Sequence, residues 1–129
     1  PNKIPSAMHC EEYLRFFCTH LAALLISDDA IGMFRVCVAE AGRSEVSDLY
    51  WQAGPQKIRS QLNAYLAEQN KLSTLKIDDI DTAASQLIAM VVCESQFRSL
   101  LGLEKLKSDS DLHLYAEKCA EMFYKSYRA

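Results

Sequence analysis

The sequence predicts an all-α domain, a bundle of about six helices joined by short turns. Three observations predict it. Apolar residues recur at spacings of three and four along nearly the whole chain, and no stretch alternates with period two for long enough to be a strand. Glycine and proline number only 4 and 3, too few for the tight turns of an all-β domain or for a Gly-rich nucleotide fold. Residues with cap and stop chemistry fall between the periodic stretches. The chain has 129 residues, 50% of them apolar and 24% charged. That composition fits one globular domain, residues 1–129, with a core that needs neither metal nor disulfide.

The first helix spans residues 9–26, after an entry at Pro5-Ser6. Cys10, Tyr13, Leu14, Phe17, Leu21, Leu24 and Leu25 form its apolar stripe, with Glu11 and Glu12 in the first turn, where the helix dipole favours negative charge. Ser27-Asp28-Asp29 supplies cap chemistry for a second helix, 29–41, which buries Ala30, Met33, Phe34, Cys37, Val38 and Ala41 and stops at Gly42. Ser44 caps a short third helix, 45–53, carrying Val46, Leu49 and Tyr50. Gly54-Pro55 breaks the chain, because proline disfavours helix just before itself but suits a first helical position. The fourth helix, 55–70, has the stripe Ile58, Leu62, Tyr65 and Leu66, and residues 71–77 form a connector. Asp78 caps the fifth helix, 79–101, with Asp81 three residues on, and Gly102 ends it. Ser108 and Asp111 open the sixth, 109–127, whose apolar side carries Leu112, Tyr115, Ala116, Cys119, Met122 and Phe123.

The fifth helix is apolar around much of its circumference, so it must be covered on more than one side. It is either central in the monomer or shared between its own core and a second subunit. The last helix adds Tyr124 and Tyr127, and tyrosine is enriched at interfaces. The pattern therefore points to a homodimer through the last two helices. The candidate contacts are Glu94, Phe97, Arg98 and Leu101 on one, and Leu112, Tyr115, Cys119 and Met122 on the other.

Chemistry-bearing motifs are scarce. No catalytic residue, metal site or cofactor is expected: the sequence lacks a G-x-S-x-G elbow, an H-E-x-x-H pair, a phosphate-binding loop and an acidic calcium loop. His9, His20 and His113 have no Cys or carboxylate at ligand spacing. The five cysteines, Cys10, Cys18, Cys37, Cys93 and Cys119, include no C-x-x-C pair, and four of them sit in apolar or helix-periodic stretches as small hydrophobes. Such usage suits the cytoplasm. The longest unbroken apolar run is 87–93, far short of the ~20 residues of a membrane span, and no signal-peptide pattern opens the chain. A net charge of −3 makes a poor nucleic-acid surface. Glu40 and Glu94 stand in apolar surroundings. Each is either a solvated helix position near Arg35, Arg43 or Arg98, or a polar anchor in an apolar pocket. Phe17, Met33, Cys37, Leu62, Tyr65, Met90, Cys93 and Phe97 are candidates for lining a cavity between the helices, against the alternative that they are core. Trp51 is expected to pack on a neighbouring helix rather than line the pocket.

Residues 33–103 resemble the C-terminal regulatory domain of the TetR/AcrR family of bacterial transcriptional regulators, and within it the AefR-like subgroup. The carriers are Arg35 with Glu40-Ala41, like that subgroup's R-x-x-x-x-E-A helix, and Tyr50-Trp51-Gln52-Ala53-Gly54-Pro55, like its aromatic kink ending in Gly-Pro. Leu62 to Leu66 with Leu72, then Asp81-Thr82-Ala83-Ala84 and Leu100-Leu101-Gly102-Leu103, fit the helices that follow. Ser44-Glu45 stands where the family usually has an aromatic-Pro pair, and Lys71 where a Gly is common. The resemblance implies an effector-sensing and dimerisation domain of a repressor. Its last two helices would form a four-helix interface with their twofold mates. A small apolar effector would sit among the helices and control DNA binding allosterically. DNA would be held only through an N-terminal helix-turn-helix domain, which residues 1–9 cannot supply. The alternative is a stand-alone helical carrier of small molecules or a protein-interaction module.

Overall fold

A computed structural model describes residues 9–129; the Pro5-Ser6 entry lies outside them. Six helices follow in order: α1 (Cys10–Leu25), α2 (Asp28–Ala39), α3 (Val46–Ala53), α4 (Pro55–Lys71), α5 (Ile80–Leu100) and α6 (Asp109–Tyr127). Among the described residues there is no strand, only an isolated antiparallel bridge between Leu75 and Arg128.

Capping explains most of the boundaries. The Ser27 hydroxyl accepts from the Ala30 amide at 3.2 Å, and that of Ser108 from the Asp111 amide at 3.1 Å. At α5 the cap is Asp79, one residue later than expected: its carboxylate accepts from the Thr82 amide at 3.0 Å and the Thr82 hydroxyl at 2.6 Å. Asp79 is the residue with extended backbone angles (φ −121, ψ 91) immediately before the first helical turn, which is what a cap needs. Ser44 acts locally too, accepting from the Val46 amide at 3.3 Å, although Glu45 is the residue flanking α3.

The C-terminus of α5 is closed twice. Gly102 adopts φ +72, which brings the Leu103 amide to the Arg98 carbonyl (3.0 Å) and its own amide to that of Ser99 (3.1 Å). This satisfies carbonyls that have no partner inside the helix. Arg35 of α2 then donates to the carbonyls of Ser99 (2.7 Å) and Leu100 (3.3 Å), placing a cation at the negative end of the helix dipole.

The core lies between α1, α4, α5 and α6. Leu14, Cys18, Leu62, Leu66, Ala84, Leu87 and Ala116 are completely buried in it. α1 packs most extensively on α6, and α5 touches α1, α2, α4 and α6. Central position thus covers much of the apolar girth of α5 within the subunit. The connector after α4 contributes to the core as well: Leu75 and Ile77 are buried. Asn70 holds it there, donating to the Ile77 carbonyl (2.8 Å) and accepting from the Ile77 amide (2.9 Å). The chain end seals the same edge through Lys76 N–H to the Tyr127 carbonyl (2.7 Å) and Ala129 N–H to that of Thr74 (3.2 Å).

One residue of α5 is not helical. Cys93 has φ 46 and ψ −169, a region that belongs almost entirely to glycine. One turn earlier, the Met90 carbonyl accepts a 2.6 Å hydrogen bond from the Tyr115 hydroxyl of α6. The bend separates the part of α5 that packs in the core from the part clamped by Arg35.

Candidate functional site

A cleft of about 830 Å³ opens among α1 to α5. Sequence periodicity on each helix supplies one strip of its wall. Leu21, Leu24 and Leu25 come from the last turns of α1, and Ala30, Phe34, Cys37 and Val38 from one face of α2. Tyr50 and Trp51 come from α3, Ile58 and Arg59 from the first turns of α4. On α5 the wall is Ile88, Val92 and Gln96 at spacings of four, while Ala84, Leu87 and Val91 form a separate stripe facing the core. This volume lies in the usual range for small-molecule sites, which are mostly apolar with a few placed polar groups.

Short helix α3 contributes Ser47, Tyr50 and Trp51 to this wall. It buries no residue, so core packing does not account for its position. The Gly54-Pro55 break turns the chain directly into α4, leaving Trp51 about half exposed, at 54%, on the cleft rim. The Ser47 hydroxyl donates to the Cys37 carbonyl at 3.1 Å, tying α3 to the last turn of α2, where helix carbonyls lack amide partners. Burial, then the nearby Cys37, push the Tyr50 hydroxyl above its ordinary titration range.

Arg59 is the cation in the wall. Its Nη2 donates to the Asp81 carboxylate (2.9 Å), the Asp81 carbonyl (3.1 Å) and the Ser85 hydroxyl (2.7 Å). Its Nε is buried without a partner, and no hydrogen bond from Nη1 occurs among the described residues. Asn63 donates to the same Asp81 oxygen at 3.3 Å.

A second hollow of about 620 Å³ adjoins the cleft, sharing Leu21, Leu24 and Ile58 with it and adding Tyr13, Phe16, Phe17 and His20. A third, of about 110 Å³, lies against Glu94, Arg98 and Leu112 at the far end of α5.

The candidate pocket residues scatter on folding. Cys37 lines the main cleft and Phe17 the adjoining hollow. Leu62 is fully buried in the core, and Tyr65 stacks on Tyr13 with ring centroids 3.4 Å apart. Met90 packs against the core, Cys93 occupies the bend, and Met33 and Phe97 are exposed outside the cleft. Trp51, expected to pack on a neighbour, stands on the cleft wall instead, since α3 has no core-facing residue to dictate another orientation. Leu24, Phe34, Tyr50, Ile58, Ile88 and Val92 were not singled out. Leu24, Phe34, Tyr50 and Ile58 belong to the same stripes as core residues, and only Ile88 and Val92 form a second stripe, beside the core-facing one of α5.

Of the candidate dimer contacts, Phe97, Leu101 and Met122 are exposed at 64%, 58% and 53%, and Glu94 is also exposed. Arg98 and Tyr115 are half-buried. Leu112 and Cys119 are buried within the subunit, because that stripe of α6 faces inward with Ala116 and Phe123. Leu114, exposed at 50%, joins Met122 on the outer side of α6. Neither Glu40 nor Glu94 takes part in an ion pair among the described residues. No three His, Cys, Asp or Glu side chains gather there as a metal site would require, and no described helix is long and apolar enough to cross a membrane.

Comparison with known proteins is consistent along the chain. Residues 12–129 match the family profile of the AefR-like transcriptional repressor C-terminal domain. A crystal structure from Mesorhizobium loti, assigned to the TetR family of transcriptional regulators, superposes with a TM-score of 0.85 at 18% identity, over 96% of this chain and 62% of that one. A TetR transcriptional regulator from Agrobacterium tumefaciens gives 0.78 at 23% identity, covering 93% and 61%. The flavonoid-responsive regulator FrrA gives 0.78 at 24%, covering 98% and 63%. This chain thus spans about three fifths of the length of these relatives. No curated protein sequence matches it significantly.

Proposed function

The chain belongs to the family of AefR-like transcriptional repressor C-terminal domains, and from that premise we propose that it is the effector-sensing and dimerisation half of a bacterial repressor. A small apolar molecule occupies the cleft. DNA is held by an N-terminal helix-turn-helix domain of the whole protein, which acts in the cytoplasm as a homodimer. Occupancy changes the equilibrium between two arrangements of the subunits and so the affinity for the operator, by as much as the effector's preference for one arrangement.

The observation that carries this reading is the cleft itself. Five helices contribute to it, its wall is mostly apolar, and its size suits a drug-sized molecule. Support for the dimer comes from Phe97 and Leu101 on α5 and from Leu114 and Met122 on α6, large apolar side chains left uncovered by the subunit.

The single tryptophan makes a direct test available. Phenylnaphthylamine, an uncharged apolar dye, absorbs where tryptophan emits. Bound in the cleft it quenches Trp51 by energy transfer, in a saturable way that a charge in the cleft wall, Val92→Glu, abolishes and a charge in the adjoining hollow, Phe16→Glu, does not. Saturable dye binding without transfer from Trp51, or no binding at all, overturns the proposal.

A further inference from the structure

We infer that the cleft selects an amphiphile: an apolar body with an anionic oxygen head, the head held by Arg59. The inference rests on the reading of the cleft as an effector site and adds the chemical class of the effector.

Arg59 is held ready for this. Nη2 shares its two N–H groups among three oxygens of Asp81 and Ser85, which fixes the guanidinium against α5, and Asn63 steadies Asp81. None of these uses Nη1, so its two N–H groups remain as donors on a side chain that is 28% exposed and lines the cleft. A donor group already immobilised loses little further freedom on binding. Its partner Asp81 is 77% exposed and is not among the residues that line the cleft, so a head group there meets the guanidinium and not that carboxylate.

Position sets the orientation of the guest. Arg59 meets α5 at Ser85, one turn before Ile88, whereas Gln96 lies beyond the Cys93 bend, at the other end of the α5 wall. On α5, Ile88 and Val92 lie between, and Leu24, Phe34, Tyr50 and Trp51 add apolar wall from the other helices. The opposing charge in the lining is Asp29, in the first turn of α2. An anionic head at Arg59 meets an opposite charge, whereas the same head at Asp29 would meet a like one. Charge-assisted bonds to an arginine that carries unused donors are the strong ones.

Two dyes with the same ring body separate the possibilities: anilinonaphthalene sulfonate, which carries an anionic head, and phenylnaphthylamine, which does not. Both are read by energy transfer from Trp51. The wild-type chain is expected to bind the sulfonate more tightly. Arg59→Met should weaken the sulfonate about tenfold and leave phenylnaphthylamine within about twofold, while Arg59→Lys keeps part of the preference. Circular dichroism confirms that each variant is helical. Asp29→Asn should change the sulfonate far less than Arg59→Met does. If phenylnaphthylamine binds and the sulfonate gains nothing over it, or Arg59→Met shifts both dyes equally, or Asp29→Asn shifts the sulfonate as much, the head-group assignment fails and the cleft reading stands. If neither dye reaches Trp51, the cleft reading fails first.

Discussion

Replacing Cys93 by alanine and, separately, by glycine measures the bend in α5. Both variants lose the same half-buried thiol, so the difference between them reports the backbone alone. At φ 46 and ψ −169 a residue with a Cβ carries about 1–3 kcal/mol of strain that glycine does not. Glycine gives back about 0.5–1 kcal/mol through the larger entropy of its unfolded state. The glycine variant should therefore be the more stable of the two by about 1 kcal/mol. A straight helix would reverse the sign, because glycine inside regular helix is about 1 kcal/mol worse than alanine. Urea unfolding followed by helical circular dichroism, with equal slopes for the two variants, reads this difference directly. A more stable alanine variant would refute the bend.

Tyr115→Phe probes the same place from α6: losing the donor to the Met90 carbonyl should cost about 1 kcal/mol in the same urea assay, and no loss would show that the carbonyl has another partner. Phe97→Glu tests the proposed dimer. The side chain is 64% exposed in the subunit, so the fold should survive, while a charge in a desolvated interface should raise the dimer dissociation constant by roughly a hundredfold or more by sedimentation; an unchanged dimer would place the interface elsewhere. At the start of α5, Asp79→Ala should lower the thermal midpoint and Asp78→Ala should not, since Asp79 accepts from Thr82; equal effects would contradict the cap assignment. Burial, then the neighbouring Cys119, push the Cys18 thiol from its ordinary 9.0 up to about 12. The unfolded chain loses that proton first, so the contribution, up to about 4 kcal/mol, is complete below pH 9.0 and is lost as pH rises toward about 12. Cys18→Ala should flatten the alkaline fall in urea stability, and an equal slope in both proteins would show that other groups cause it.

The helices themselves were legible in the residues. Spacing of three and four, Ser27 and Ser108 as caps, Gly102 as a stop and Gly54-Pro55 as a break act within a turn or two of chain, so local reading places six helices close to where they stand. Family resemblance, carried by short runs such as Tyr50 to Pro55, was legible for the same reason. Periodicity also shows which side chains share a face. It cannot show what that face meets. Leu21 and Leu24 belong to one stripe, yet Leu21 is buried at 5% while Leu24 is 52% exposed over the cleft. Leu75 and Ile77 read as connector and are core, because Asn70 and the chain end fold them inward. Leu112 and Cys119 read as outward and face inward. Cys93 stands in an unbroken apolar run, and nothing in that run marks the bend, which shows only in its backbone angles. A cleft is the space that five helices leave when they pack, and Arg59 belongs to it through Asp81 and Ser85, more than twenty residues away in the chain. Local energetics decide each helix; the shape of the space between helices depends on how all of them fit together, and that is decided in three dimensions.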